Sequence, residues 1–239
     1  MLSNPNVSQV LNGLNKTVSD IDIIVLYSYF PEPLPETQFQ QYLNFLSEEQ
    51  KEKNKCYIRW QDRHAHLLGK LLLKKGFEWW GETDFSFSDL VYNSYNRPCV
   101  SGSMDFNISH SGNYVICAVG KNLRLGIDIE EIKEIDFDDF TRVMSGDQWS
   151  DILHNKEPLR SFFKYWTWKE SVIKGDGRGL AIPLEDIYID GNQAIYESRI
   201  WYLHELSIDR RKYISCLATD KQNFSFEVRC VDFYPIELL

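Results

Sequence analysis

A helical pattern followed by several strand patterns occurs twice along the 239 residues, and this order constrains the fold more than any other feature. Residues 62–80 place leucines at helical spacing on one face, and residues 136–175 form a second helical region. A further helix is predicted over 36–46, and Ser47 opens a capping-box pattern with Gln50. Short runs of branched and aromatic residues, which are typical of strands, occur at 21–27, 85–92, 104–108, 113–119, 124–130, 184–190, 212–219 and 223–232. The order predicts a mixed α/β (α+β) fold.

The composition indicates a folded chain that binds neither nucleic acid nor a membrane. Hydrophobic residues make up 43% and aromatic residues 14%, which is ample for a core and argues against disorder. The net charge of −9 disfavours a general phosphate-binding surface. The five cysteines form no Cys-x-x-Cys pair, which favours free thiols in a reducing compartment. No run reaches the roughly 18 apolar residues of a membrane helix, and the N-terminus lacks a secretion-signal pattern. We therefore expect a cytoplasmic protein.

Two carboxylates lie two residues apart in the strand-like run Leu-Gly-Ile-Asp-Ile-Glu at 125–130. Asp128 and Glu130 alternate with isoleucines, so both project from one face of the strand. Neighbouring carboxylates repel each other unless a proton or a cation intervenes, and Mg²⁺ prefers oxygen ligands. On spacing alone, an ordinary half-exposed strand with outward acidic residues is the more common explanation.

Glu170 and Lys174 lie one helical turn apart in the second helical region. They form either a surface ion pair of small energetic value or a functional pair. In a functional pair, Glu170 serves a metal or a proton transfer and Lys174 contacts a phosphate. Three glycines follow, at positions Gly175, Gly177 and Gly179. They lie after the end of a helix and not before the start of one, so they do not form a phosphate-binding loop.

Two other patterns are weak evidence for a functional site when each is taken alone. Asn107, Ser109 and His110 crowd a strand end, where polar side chains can surround an anion, but Ser, Asn and Gly are also common in turns. The second pattern is basic and is typical of a solvated surface; it comprises Lys51, Lys53, Lys55, Arg59, Arg63 and the separate Arg97-Pro98.

Taken together, these segments resemble the Sfp-type 4′-phosphopantetheinyl transferase family. The matching segments occur in family order over roughly residues 45–185, and they are SEEQKEKNKCYIRWQDRHAHLLGKLLL, YNRPC, FNISHSG, LGIDIEEI and WTWKESVIKGDGRGL. The resemblance implies the fold of that family, an α/β (α+β) fold with two similar halves related by a pseudo-twofold axis and the active site between them. We expect a loose arm over 1–20, one half over 21–122 with the coenzyme A nucleotide contacts, and one half over 123–239 with the catalytic residues. The fused length implies a monomer.

The resemblance also implies an activity. Such an enzyme moves 4′-phosphopantetheine from coenzyme A, its donor substrate, to a serine of an acyl or peptidyl carrier protein and releases 3′,5′-ADP. The catalytic residues are expected to be Asp128, Glu130 and Glu170, which also hold Mg²⁺, with Glu170 as general base. Lys174 is expected at the coenzyme A phosphates. The remaining coenzyme A contacts are expected from Lys53, His66, Arg97, Pro98, Asn107, Ser109 and His110.

The chain departs from the family pattern at two positions. Gln148, beside Asp147, stands where many relatives have glutamate, and Gln50 stands where relatives often have lysine. Two alternatives remain. A Mg²⁺-dependent hydrolase of coenzyme A or nucleotides would share the carboxylates and basic residues, and a catalytically weakened coenzyme A-binding relative is supported only by Gln148. Carrier docking is expected over 132–153, through apolar residues that the sequence suggests are exposed, namely Phe137, Phe140, Met144 and Trp149.

Overall fold

The computed structural model describes residues 21–234, and the predicted arm over 1–20 lies outside them. Two β-sheets form the centre of the fold, and a two-stranded ribbon (β2, Val91–Tyr92; β3, Pro98–Cys99) lies apart from them. The first sheet has the strand order β11-β1-β5-β4. Its strands are β1 (Ile23–Tyr29), β4 (Met104–Ser111), β5 (Tyr114–Lys121) and β11 (Phe226–Cys230). β11 runs parallel to β1, and the other neighbours are antiparallel.

The second sheet is antiparallel and has the order β6-β10-β9-β8-β7. Its strands are β6 (Leu125–Glu131), β7 (Tyr188–Asp190), β8 (Gln193–Tyr196), β9 (Arg199–Glu205) and β10 (Tyr213–Thr219). Helices and sheets together confirm the mixed α+β class. β11 returns to the first sheet, so the two sheets share chain across the expected boundary at 122 and 123. The division into halves and the pseudo-twofold axis remain predictions.

The described residues contain five α-helices, which are α1 (Glu36–Leu43), α2 (Glu48–Lys55), α3 (Trp60–Trp79), α4 (Gly146–His154) and α5 (Pro158–Asp176). Ser47 caps α2 by accepting a hydrogen bond from the backbone N–H of Gln50 at 3.3 Å. α5 starts with a proline, which suits the first turn of a helix, and ends at Gly177 in the left-handed region with φ 91°. Within residues 21–234, no helix has the length and apolar character needed to cross a membrane.

The two longest helices cover different sheets. α3 packs on the first sheet, and its leucine face is buried as the spacing predicts, through Leu67, Leu68, Leu71 and Leu72. α5 packs on the second sheet through Val172 and Ile173. These contacts leave the outer edges of β4 and β6 next to each other between the two layers.

One secondary-structure prediction is wrong, and one predicted helical region consists of several segments. Residues 85–92 form a 3₁₀ turn at Phe87–Asp89 and only a two-residue strand. The backbone N–H of Ser86 bonds to the Asp89 carboxylate at 2.8 Å, and such local bonds compete with sheet pairing. The predicted helical region over 136–175 is divided into a 3₁₀ turn, α4 and α5. Pro158 explains the break before α5, because the residue before a proline is disfavoured in a helix.

Candidate active site

The candidate site lies where the edge strands of the two sheets meet, a junction between β4 and β6 that we call the sheet seam. Alternate residues of β4 face β6, since side chains two apart share a face of a strand. Asp105 accepts a hydrogen bond from the N–H of Leu125 at 3.0 Å, and Asn107 accepts one from the N–H of Ile127 at 2.9 Å. The seam therefore aligns β4 with the strand that carries the two predicted carboxylates.

Asp128 lies inside the seam and is only 1% exposed. Its Oδ1 accepts hydrogen bonds from Ser109 Oγ at 2.7 Å and from Lys174 Nζ at 2.5 Å. Its Oδ2 is buried and has no hydrogen-bond partner in the described part of the chain. A buried, unpaired carboxylate oxygen is costly, so this atom is suited to a cation or a donor supplied by a ligand.

Glu130 projects from the same face of β6. Its Oε2 accepts from Ser111 Oγ at 2.8 Å, and its Oε1 accepts from the Trp166 indole N–H at 3.3 Å. Burial raises the pKa of Glu130, and the neighbouring Asp128 carboxylate raises it further. Ser111 and Trp166 were not among the predicted site residues, although Ser111 continues the alternation of Asn107 and Ser109 and Trp166 lies one helical turn before Glu170.

Glu170 reaches the same site from α5. Burial raises the pKa of Glu170 to about 7; the Asp128 and Glu130 carboxylates add to this shift, and Lys174 opposes it. The effects of Lys174, Asp128 and Glu130 on the pKa of Glu170 indicate that these side chains lie close enough to Glu170 to interact with it electrostatically. A carboxyl group with a pKa near neutrality can exchange a proton at physiological pH.

Two glycines allow α5 to lie directly on β6. A Cβ atom on Gly126 would lie 2.0 Å from the carbonyl oxygen of Ser171 and 2.4 Å from the nitrogen of Gly175. The backbone of α5 therefore contacts the backbone of β6 at a position two residues before Asp128. This close approach brings Glu170 and Lys174, which lie on α5, within reach of the seam carboxylates.

A metal site is supported by the donor chemistry of this site but not by a complete ligand group. Among residues 21–234, no three His, Cys, Asp or Glu side chains are arranged as a metal-binding group. The unpaired Oδ2 of Asp128 and the acidic neighbours do suit a hard cation. The three-carboxylate ligand set therefore stays a prediction.

Four basic side chains lie together beside the seam, and we call them the basic cluster: Lys53, His66, Lys70 and His110. Burial lowers the pKa of His66 to about 4, with contributions from Lys70, Lys53 and His110 in that order. Burial, followed by Lys174, also lowers the pKa of His110. The structure thus brings the predicted Lys53, His66 and His110 together. Lys70 was missed, although it follows His66 by one helical turn.

The ring of His66 is fixed by two amide side chains. The Asn54 side chain donates to Nδ1 at 3.1 Å, so Nε2 carries the proton and donates to Gln50 Oε1 at 3.1 Å. Gln50, which stands where relatives often have lysine, is buried and accepts from Nε2, while the donor at Nδ1 and burial favour the neutral form of this imidazole.

Gln148 lies in a helix cap. Its Oε1 accepts from the N–H of Ser145 at 3.1 Å and from Lys169 Nζ at 2.5 Å, and its Nε2 donates to the carbonyl of Ile187 at 3.2 Å. Lys169 is fully buried, and burial lowers its pKa to about 7. The amide therefore supports a buried lysine that the sequence reasoning did not identify.

Arg97 and Pro98 lie in or beside the ribbon. Arg97 is 7% exposed, and its guanidinium is directed into the seam, where it bonds to Asp105 at 2.9 Å. Pro98 pairs with Tyr92 in the ribbon. Their predicted coenzyme A contacts, like that of Asn107, stay predictions.

The docking segment is less exposed than the sequence suggests. Met144 is 2% exposed. Phe140 packs edge-on against Phe162 and Trp166, with ring centroids 5.2 and 5.5 Å away. The expectation of exposure is wrong for Met144, which is part of the buried core, whereas Phe140 is half-buried against that core. Leu153 is the exposed apolar residue here, at 60%.

Two segments of the chain match models of one protein family. Residues 124–222 match the 4′-phosphopantetheinyl transferase superfamily, and residues 32–122 match the N-terminal domain of 4′-phosphopantetheinyl transferase. The 4′-phosphopantetheinyl transferase Sfp of Bacillus subtilis is 34% identical over 165 residues, which cover 67% of this chain and 73% of the relative. The 4′-phosphopantetheinyl transferase gsp of Aneurinibacillus migulanus is 36% identical over 158 residues, which cover 63% and 65%. The chain belongs to the 4′-phosphopantetheinyl transferase superfamily.

Proposed function

We propose that this enzyme transfers the 4′-phosphopantetheine group of coenzyme A to a serine of an acyl or peptidyl carrier protein. One observation carries the proposal: Lys174 Nζ lies 2.5 Å from Oδ1 of Asp128 at the sheet seam, and Lys174, Asp128 and Glu130 all affect the pKa of Glu170. Family membership supplies the reaction class, and this grouping supplies the acidic and basic groups that such a transfer needs.

Asp128, Glu130 and Glu170 are the residues that we propose to hold Mg²⁺. The unpaired Oδ2 of Asp128 supports this assignment, because it is a buried oxygen ligand without a donor. When bound, Mg²⁺ would neutralise negative charge on the diphosphate of coenzyme A.

Glu170 is the proposed general base, because its pKa of about 7 lets it accept a proton near neutral pH. The serine oxygen forms a bond to the phosphorus that carries the pantetheine arm, and the serine proton passes to Glu170. The bond from that phosphorus to the bridging oxygen breaks, and 3′,5′-ADP leaves with the electron pair. Lys174 carries a positive charge beside Asp128 and can offset charge on the leaving group.

The basic cluster is the proposed site for the nucleotide part of coenzyme A. Burial lowers the pKa of His66, and Lys70, Lys53 and His110 lower it further. The positive charge of the two lysines beside His66 is charge that a phosphate would stabilise. Ser109, on the same strand as His110, connects the cluster to Asp128. Pro98 and Asn107 are further proposed contacts, without support from the position of their side chains. Arg97 is not included among them, because its guanidinium is directed into the seam and bonds to Asp105.

We also propose a cytoplasmic monomer that needs neither nucleic acid nor a membrane. The acidic net charge of −9 supports the lack of a nucleic acid partner. Both edges of the seam come from one chain, which supports a monomeric active site. Size-exclusion chromatography with light scattering tests the oligomeric state, and a dimeric mass contradicts it.

Intact-protein mass spectrometry of an apo carrier protein tests the activity. We expect incubation with this protein, coenzyme A and Mg²⁺ to add one phosphopantetheine group, and a chelator to prevent the addition. Release of free phosphopantetheine in the absence of carrier would instead indicate a hydrolase. Binding of coenzyme A without transfer to any of several carriers would indicate a weakened relative.

A further inference from the structure

The last carbonyl groups of α5 are bonded by side chains from far earlier in the chain. Arg97 Nε donates to the carbonyl of Lys174 at 2.9 Å. Arg124 Nη2 donates to the carbonyls of Gly175 and Asp176, each at 2.9 Å. Such carbonyls have no partner within the helix, so these two arginines fix the end of α5 from outside.

One guanidinium joins three structural elements. Arg97 Nη2 donates to Asp105 on β4 at 2.9 Å and to the carbonyl of Leu125 on β6 at 3.1 Å, while Nε holds α5. The same three elements carry Ser109, Asp128 and Lys174, whose polar atoms lie 2.5 to 3.0 Å apart. A displacement of Arg97 therefore changes the relative position of all three side chains.

Asp105 balances the charge of this arrangement. It accepts from Arg97 and from the N–H of Leu125, and the Nε of Arg124 lies 3.8 Å away. Arg97 thus has a buried carboxylate partner, and its donors are used within the protein. We call Arg97, Asp105 and Arg124 the helix clamp.

We infer that Arg97 is a positioning residue for the transfer reaction: the helix clamp sets Lys174 against Asp128. This inference rests on the proposed function. It differs from the expected nucleotide contact of Arg97, because a positioning residue affects turnover, whereas a phosphate contact affects the binding of coenzyme A.

Arg97→Lys separates the two roles, since lysine keeps the charge but lacks the planar fork that reaches three partners at once. We expect kcat per folded enzyme to fall between about tenfold and a hundredfold, as misplacement of reacting groups does. The KM for coenzyme A and the preference for coenzyme A over dephospho-coenzyme A should stay within about twofold. The folded fraction is measured by circular dichroism at the assay temperature.

Asp105→Asn provides a second test with almost no change in shape. Loss of an acid cannot weaken a phosphate contact directly, so a fall in kcat with unchanged KM supports positioning. Arg199→Lys is the control, because Arg199 is 62% exposed and pairs with Asp176 at the outer side of the same helix end. Arg199→Lys should keep the wild-type kcat and the wild-type KM for coenzyme A.

The inference is overturned if both clamp variants keep wild-type kcat, or if Arg97→Lys raises only the KM for coenzyme A. An inactive wild type would refute the proposed function separately. Hydrogen exchange tests the clamp in that case: Arg97→Lys should speed amide exchange over 170–177 and leave 67–77 unchanged. Unchanged exchange over 170–177 refutes the clamp.

Discussion

The ammonium group of Lys174 lies 2.5 Å from Oδ1 of Asp128, while Oδ2 of the same carboxylate is buried and unpaired in the described chain. Burial opposes the charge on Lys174, but the carboxylate outweighs this effect and raises the pKa of Lys174. One oxygen is thus neutralised by the protein, and the other remains available to a ligand. The negative charge of Asp128 is therefore partly neutralised by Lys174 before any substrate binds.

Replacing Asp128 should abolish transfer with little loss of fold. Asp128→Asn removes the charge that holds Lys174 but keeps the shape of the side chain, so we expect turnover to fall by about a hundredfold or more. Asp84→Asn, a change at an exposed acid, is the control. Initial rates of carrier modification and thermal unfolding are measured together. Retained activity in Asp128→Asn contradicts the role of Asp128.

Transfer should depend on pH through Glu170. In the metal-free protein the pKa of Glu170 is about 7, and a bound Mg²⁺ would lower it. Because the base must be deprotonated, kcat with Mg²⁺ should rise with pH on an acid limb whose midpoint lies below about pH 7. Glu170→Gln should lower kcat more than it changes the KM for coenzyme A, and it should remove this dependence. A pH profile of single-turnover rates is the measurement. The same acid limb in Glu170→Gln would exclude Glu170 as the titrating base.

Glu170 should also reduce stability at neutral pH in the metal-free protein. The pKa of Glu170 is raised from 4.5 to about 7 on folding, so the folded state holds more protons between these values and stability falls as pH rises through them. Glu170→Gln should therefore be more stable than wild type at pH 8, with the difference disappearing below about pH 4.5. Urea unfolding at several pH values checks this. If Glu170→Gln is less stable than wild type at pH 8, the predicted direction of the effect is wrong.

Gln148→Glu should give the buried Lys169 a charged partner. Burial lowers the pKa of Lys169 from 10.5 to about 7. Because the unfolded chain binds more protons between these values, Lys169 makes the free energy of unfolding of the wild type decrease as pH falls from about 10 to 7. In Gln148→Glu the new carboxylate should raise the pKa of Lys169, so stability should decrease less as pH falls. Urea unfolding of both proteins at pH 7 and 9.5 measures the difference. Since Gln148 lies in a helix cap, transfer rates should stay within about threefold. A large gain or loss in rate would place this position in the reaction.

A methyl group at Gly126 should separate α5 from β6. Its Cβ would lie 2.0 Å from a backbone oxygen, so Gly126→Ala should destabilise the fold by more than about 2 kcal/mol. Gly146→Ala is the matched control, because nothing lies within 4 Å of the added Cβ. Thermal unfolding compares the two variants. Equal midpoints would contradict the direct backbone contact.

The sequence by itself determined the class of fold, the two long helices and the acidic strand. These features depend on periodicity and on residues close together in the chain, such as the leucines of α3 and the alternation around Asp128. The motif resemblance also led to the family. The strand predicted over 85–92 failed because side chain to backbone bonds at Ser86 favoured a turn.

Only the tertiary structure decided which polar groups meet. Arg97 and the Lys174 carbonyl are 77 residues apart in the chain, and Lys169 and Gln148 are 21 apart, so no local pattern pairs them. The same holds for the burial of Met144 and for the unpaired oxygen of Asp128. These outcomes depend on how two sheet edges and one helix pack together, because burial and hydrogen-bond pairing are properties of the whole packed chain.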